Sequence, residues 1–119
     1  ERMFIDFVDH DFCTALIENH FKILKIYAVS ILHELGMSKK IKFLKNQVVF
    51  NHSAFRDYYL IRNRIYYARK HKKAVSLFHN VLATLWRAAL ILTFESDRPQ
   101  KFKAILKGIK DGYSMNVYE

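Results

Sequence analysis

The segment over residues 77–94 constrains this chain more than any other, because it is eighteen residues of almost wholly apolar sequence. Its length lies near the lower limit for a helix that crosses a bilayer. Arg87 stands at its middle, however, and a charge at the centre of a bilayer costs about 2.5–3.5 kcal/mol on insertion scales. We therefore predict a helix that is either buried in the protein or lies at a membrane surface.

Positive charge is concentrated in the second half of the chain. Residues 1–53 carry 7 basic and 6 acidic side chains, whereas residues 54–119 carry 13 basic and 5 acidic side chains. Such a surplus predicts an anionic partner, which would be phospholipid, nucleic acid or a phosphate-bearing substrate. A solvated lysine-rich face would give the same count. The single cysteine, Cys13, excludes a disulfide framework and a zinc site built on cysteines.

The first half of the chain is predicted to combine short strands with one helix. Residues 4–8 are predicted to form a short strand or an extended segment. Partial alternation of β-branched and apolar residues predicts strands at 21–27 and 28–33, and a further short strand is predicted at 48–50. Apolar residues at helical spacing from Phe12 predict a helix after the first strand. Asp9 would cap this helix, and Asn19-His20 would end it.

The second half is predicted to consist of three helices. Asn51 to Ser53 supply capping chemistry for a long helix over 54–73, and a second helix covers 77–94. A third begins near Asp97, with a capping side chain and an early proline, and stops at Gly112. Its lysines lie mostly away from an apolar side. This pattern suits a helix on an anionic membrane as well as a helix that docks on the protein with a solvated lysine face.

The acidic run Asp9-His10-Asp11 follows the first predicted strand, which is where α/β enzymes place reactive carboxylates. His33 follows a later pair of predicted strands and would return to the same rim. One carboxylate would then act as a general base, and the imidazole would bind a metal or a phosphate. On spacing alone, helix capping and a structural histidine are the more common explanations of these residues.

Four motifs in order give the chain a family resemblance. Residues 4–13, 21–23, 33–36 and 56–63 resemble the C-terminal part of family 2 glycosyltransferases, and they are most similar to the rhamnosyltransferase-like branch. The resemblance implies an α+β fragment of the α/β GT-A fold, with a few short strands and one helix before a mostly helical half. Residues 1–53 would belong to the catalytic domain and residues 54–119 would form a basic, aromatic helical extension. The nucleotide-binding N-terminal half would be absent.

The resemblance also implies an activity, which is inverting transfer of a sugar. The donor would be a nucleotide-sugar, dTDP-rhamnose or a relative, and the acceptor a cell-surface glycan or a lipid-linked molecule. Asp9 matches the general base, and Asp11 matches the second acidic position, which serves an acceptor contact or the start of a helix. His33 matches a position that helps to hold the diphosphate or a divalent metal, Mg²⁺ or Mn²⁺, in the full-length enzyme. Arg62 and Asn63 would face the diphosphate or an anionic acceptor.

Two positions depart from the family pattern. Val8 stands where many relatives carry an acid, so that the acidic pair is reduced to Asp9. His20 stands where relatives usually have the glycine that closes the first helix, and a positive φ costs histidine more than glycine.

Charge and resemblance together predict a cytoplasmic enzyme held on anionic lipid at the inner face of the cell membrane. We expect the 119-residue chain to be inactive by itself, and to self-associate through surface that its missing half would cover. One alternative is a helical module in which the tyrosines and arginines of 54–73 bind nucleic acid, but the sequence has no nucleic-acid-binding signature. Another is a helical interaction or oligomerisation domain. For most of these tyrosines we favour packing in the core.

Overall fold

The computed structural model describes residues 3–30, 39–41, 47–49 and 51–117. In chain order its elements are α1 (Val8–Glu18), β1 (Lys39–Ile41), β2 (Gln47–Val49), α2 (Ala54–Lys70), α3 (Leu77–Phe94) and α4 (Arg98–Ser114). The two strands pair antiparallel, with Lys39 opposite Val49. Helix α2 is central, since both α3 and α4 pack against it and side chains of the N-terminal segment contact it.

The predicted α+β fold class is wrong, because the described part of the chain is built from helices. Residues 5–7 form bends before α1, and residues 21–26 have no regular secondary structure. A strand needs a neighbour to take its backbone hydrogen bonds. At residues 4–6 the carbonyl oxygens of Phe4 and Asp6 instead accept hydrogen bonds from the side chain of Asn63 in α2. Part of the strand predicted at 28–33 lies outside the described residues. The short strand predicted at 48–50 overlaps the three-residue β2.

The three helices of the second half lie close to their predicted positions. Helix α2 starts after Ser53, whose Oγ accepts a hydrogen bond from the backbone N–H of Arg56 at 3.3 Å, and ends three residues before the predicted limit. The bounds of α3 are those predicted. Helix α4 has proline in its first turn, but Asp97 sits at its N-cap with φ 53° and its side chain makes no capping hydrogen bond.

Helix α1 begins differently from the prediction and ends as predicted. Its N-cap is Phe7, in the left-handed region, so Asp9 lies inside the first turn and does not cap the helix. At the other end His20 has φ 63°. The N–H groups of His20 and Phe21 donate to the carbonyls of Ile17 and Leu16 at 3.0 and 2.9 Å, which is the Schellman pattern. Histidine adopts this conformation at a cost of about 1–2 kcal/mol.

Two glycines allow α4 to approach α2 closely. A Cβ atom at Gly112 would lie 2.5 Å from the carbonyl oxygen of Arg62, and one at Gly108 would lie 2.8 Å from that of Tyr58. Any larger residue would push the helix backbones apart. Next to this contact, Ile61 of α2 and Ile105 of α4 are fully or almost fully buried with Ile91 of α3.

A buried network of four charged side chains joins α2, α3 and α4. The Arg87 guanidinium lies 3.0 Å from Asp57 Oδ1 and 2.7 Å from Glu95 Oε1, and Lys101 Nζ lies 2.8 Å from Glu95 Oε2. The two positive and two negative charges balance, as buried charges require. Arg87 therefore points into the protein, toward α2, and its charge is neutralised there.

We expect Gly112→Ala to destabilise the chain. In an exposed helix this change would stabilise by about 1 kcal/mol. Here the added methyl group meets the carbonyl of Arg62, and overpacking of this kind costs about 1–3 kcal/mol. Urea unfolding measures the difference, with Lys103→Ala on the exposed side of α4 as the control. A Gly112→Ala variant more stable than the parent chain would show that the helices are not in close contact here.

A second expectation concerns pH. Burial raises the pKa of the Asp57 carboxyl above its ordinary 3.8, against the opposing hydrogen bond from Arg87. The folded protein therefore binds this proton more readily than the unfolded chain does. Ionised Asp57 therefore lowers the free energy of unfolding at any pH above its raised pKa. This destabilisation disappears as the pH falls from the raised pKa toward 3.8, because the carboxyl becomes protonated in the folded protein.

Relative to Asp57→Asn, the parent chain should thus gain free energy of unfolding as the pH is lowered from neutral through this window. Urea unfolding of both proteins at each pH gives the difference, and Asp97→Asn, at an exposed carboxylate, is the control. A difference that stays constant, or that moves in favour of the variant, contradicts the expectation.

Candidate functional site

The turn that leads into α1 has a strained backbone. Ile5 and Phe7 have φ values of 70° and 69°, which are rare for residues other than glycine and costly for a β-branched one. The N–H of Asp6 donates to the carbonyl of Phe4 at 3.0 Å, so Ile5 is the centre of a γ-turn with positive φ, the rare and strained form. Such a turn persists only where its surroundings hold it.

The side chain of Asn63 holds this turn on α2. Its Nδ2 donates to the carbonyl oxygens of Phe4 and Asp6 at 2.9 and 2.7 Å. Its Oδ1 accepts two hydrogen bonds from the guanidinium of Arg62, at 3.0 and 2.8 Å. Asn63 is completely buried, and every hydrogen-bonding atom of its amide group is engaged. Arg56 adds a second connection, with Nη2 lying 3.3 Å from Asp6 Oδ1.

Arg62 is itself held between aromatic rings. Its guanidinium lies 4.5 Å from the ring centre of Tyr59 and 5.8 Å from that of Tyr58. The ring of Phe4 packs edge-on against Tyr59 at 5.2 Å and against Phe55 at 6.3 Å. The turn and the first half of α2 thus form one packed unit in which Arg62 fixes the orientation of the Asn63 amide.

Asp11 is engaged in a cluster of charged groups at the other end of α2. Lys70 Nζ lies 2.8 Å from one of its oxygens and His71 Nε2 lies 2.8 Å from the other. His71 is almost fully buried, and its Nδ1 lies 2.6 Å from Glu18 Oε2. Each ring nitrogen of His71 thus lies within hydrogen-bond distance of a carboxylate of α1. The cluster attaches α1 to α2, together with a 2.7 Å hydrogen bond between Thr14 and Tyr67.

Sequence analysis missed the role of His71. Its two partners on α1, Asp11 and Glu18, are seven residues apart, and this spacing places them on one face of a helix. That spacing is a signal for a shared partner. It does not identify which of the chain's six histidines supplies it.

Asp9 is exposed to solvent in the first turn of α1. Residues two apart on a helix point in different directions, so Asp9 is separated from the cluster that engages Asp11. A helix N-terminus is a favourable position for a carboxylate. Of the two predicted acidic residues, Asp9 is therefore the more accessible to another molecule.

His33, the predicted ligand for a metal or diphosphate, lies outside the described residues. The predicted meeting of Asp9 and His33 at the rim of one pocket stays a prediction. Within residues 3–30, 39–41, 47–49 and 51–117, no group of three or more histidine, cysteine, aspartate or glutamate side chains is arranged to hold a metal ion.

A shallow groove of about 310 Å³ lies between α2 and α4 beside the turn. Its walls are mainly aromatic and apolar, with one lysine: Ala54, Phe55, Tyr58, Tyr59, Ala104 and Lys107. The Lys107 ammonium lies 4.5 Å from the ring centre of Tyr58 and 2.6 Å from Asp111 Oδ2. Lys107 Nζ donates hydrogen bonds to Asp111 and to the Tyr58 hydroxyl, and these bonds raise the pKa of Lys107, so an ion pair stands at the edge of the groove.

The other tyrosines of α2 belong to the core. Tyr66 and Tyr67 are buried with Met3, which confirms the prediction of packing for these two residues. They are thus not available to stack on bases. Arg69, on the same helix, donates to the carbonyl oxygens of Gly112 and Met115 at 3.1 and 2.9 Å and so holds the end of α4.

Comparisons with protein-family models, with curated proteins and with solved structures find no match for this chain. The resemblance to the glycosyltransferases therefore stays a prediction from the motifs in the sequence. Two of these motifs, residues 4–13 and 56–63, are the segments that Asn63 and Arg56 join.

We expect Asn63→Asp to release the turn from α2. The new carboxylate cannot donate to the carbonyls of Phe4 and Asp6, and each lost hydrogen bond costs about 0.5–1.5 kcal/mol. Hydrogen exchange in a peptide that covers residues 3–12 should become faster, with a smaller effect in α4. Asn80→Asp is the matched control, because the Asn80 amide bonds only to a carbonyl one turn away. Unchanged exchange in residues 3–12 would show that Asn63 does not hold the turn.

Proposed function

We propose that this chain is the C-terminal part of an inverting glycosyltransferase, similar to the rhamnosyltransferase-like branch of family 2, in which Asp9 is the general base. One observation carries the proposal. The two longest motifs of the resemblance, about fifty residues apart in sequence, are in direct contact through the buried Asn63 amide. This contact supports a strained turn, and strained turns of this kind concentrate at functional sites.

Asp9 acts on the acceptor. Its carboxylate takes the proton of an acceptor hydroxyl while that oxygen attacks the anomeric carbon of the donor sugar. The new carbon–oxygen bond forms as the bond between the anomeric carbon and the diphosphate breaks. The nucleoside diphosphate leaves with the electron pair from the opposite face, so the configuration inverts. A single base is sufficient, and no covalent intermediate with the enzyme forms.

The other predicted site residues position Asp9. Asp11 is tied to Lys70 and His71 and orients α1, while Asn63 holds the turn that starts the helix. Arg62 fixes the Asn63 amide so that its NH₂ group faces the turn. A divalent metal in the full-length enzyme would neutralise charge on the leaving diphosphate. Asp9 abstracts its proton independently of that metal.

The groove between α2 and α4 suits an acceptor that combines an apolar part with negative charge. Phe55 and Tyr59 line the groove and also contact Phe4 of the turn. Lys107 supplies an ammonium group, which it shares with Asp111 at 2.6 Å. A lipid-linked acceptor with a phosphate matches this lining, and its sugar end would lie on the side of the turn.

The test uses the protein that carries this chain in its natural context, assayed for release of dTDP from dTDP-rhamnose in the presence of acceptor. Asp9→Asn should lower kcat by about 10²–10⁴-fold, the usual contribution of a general base, with donor affinity little changed. Asp97→Asn, another exposed carboxylate at a helix start, should leave kcat unchanged. An Asp9→Asn enzyme with kcat close to that of the parent would overturn the assignment of the base.

A further inference from the structure

Helix α3 presents its apolar side chains to solvent. Phe78, Leu82, Leu85 and Trp86 are 72, 53, 58 and 49% exposed. Within α3 the buried residues are Thr84, Leu90 and Ile91. We call the surface formed by Phe78, Leu82, Leu85, Trp86 and Leu92 the outer face of α3. The helix has a mean hydropathy of 1.4 and is long enough to cross a membrane by length and composition. Of the two alternatives predicted for this segment, a buried helix or a helix at a membrane surface, burial does not describe most of its surface.

Buried charges fix this orientation. Arg87 pairs with Asp57 of α2, and Ile91 packs between Ile61 and Ile105. Turning the outer face of α3 inward would carry Arg87 away from its partners. The helix therefore cannot hide its apolar face by rotating, and that face needs a partner outside the described residues.

Exposed lysines stand close in sequence to exposed apolar residues of α3 and of α4. Lys72 and Lys73 are exposed in the segment between α2 and α3. On α4, the exposed Phe102 and Leu106 lie among exposed lysines at 103, 107 and 110. Apolar surface with basic residues beside it matches a bilayer that contains anionic lipid. A second copy of this chain is a poorer match, because it has the same formal charge of +9 and would present lysines to lysines.

We propose that α3 lies in the interfacial plane of a bilayer that contains anionic phospholipid, with its outer face among the acyl chains. The helix does not span the bilayer. At 1.5 Å per residue its eighteen residues measure about 27 Å, and Arg87 and Ile91 bind it to α2. A spanning α3 would draw Asn63, Arg62 and Arg64 toward the hydrocarbon. The proposal does not depend on the proposed sugar transfer.

Trp86 tests the depth of α3, because it is the only tryptophan of the chain and stands at the middle of the helix. The probe is vesicles of phosphatidylcholine and phosphatidylglycerol with bromine on the acyl chains, either near the headgroup or near the chain end. Bromine near the headgroup should quench Trp86 fluorescence more strongly. Stronger quenching from the chain end would mean that α3 spans the bilayer, and absence of quenching would mean that it does not enter. Either result overturns the proposal.

The outer face is tested by vesicle flotation. Leu82→Glu combined with Leu85→Glu should weaken partitioning into the mixed vesicles at least tenfold, since two half-exposed leucines lose their burial in lipid. Ala83→Glu adds a charge to an exposed residue about 100° around the same helix from Leu82, and should change partitioning less than about twofold. Circular dichroism verifies that each variant is folded.

Lipid charge and self-association complete the test. Vesicles of phosphatidylcholine alone should bind the parent chain at least tenfold more weakly, and this difference should shrink in high salt. Equal binding to both kinds of vesicle overturns the role of anionic lipid. A chain that fails to bind either vesicle but forms a dimer, which Leu82→Glu and Leu85→Glu dissociate, overturns the bilayer as the partner and assigns the face to a second copy.

Discussion

The contact between α4 and the backbone of α2 is the constraint on which the rest of the structure depends. Two glycines one turn apart bring the helices together until a methyl group would not fit between them. This contact fixes the position of α2. Helix α2 in turn binds the N-terminal turn through Asn63 and α3 through Asp57, and His71 at its C-terminal end binds α1. A displacement of α4 would therefore shift α2 and, through it, the N-terminal turn, α1 and α3.

Sequence analysis placed the helices of the second half well because their signals are local. Ser53 and Ser76 cap α2 and α3 through hydrogen bonds within one helical turn, and Pro99 marks the first turn of α4. The strands predicted at 4–8 and 21–27 are absent because a pattern of apolar residues describes side chains and supplies no partner strand. At residues 4–6 the side chain of Asn63 provides the hydrogen-bond donors, and no residue near 4–6 in the sequence indicates this contact.

The candidate site was predictable in part. Asp9 and Asp11 stand out from the sequence as a pair, but only the structure separates an exposed carboxylate from one that lies between Lys70 and His71. Asn63 was predicted to face the substrate, and the structure places its amide in a buried position facing the turn. The difference comes from burial and from hydrogen bonds between residues far apart in sequence, which a motif does not encode. His20, where a glycine was expected, accepts the left-handed conformation and keeps the helix end intact.

The distance in sequence between Asn63 and its two carbonyl partners has a consequence for synthesis. The bond to Asp6 joins residues 57 positions apart. At ribosomal rates of about 5–20 residues per second, roughly 3–11 s pass between translation of the turn and translation of the asparagine that closes it. During that interval the nascent chain carries Asp9 without its support. The proposed base thus acquires its geometry only after α2 has left the ribosome.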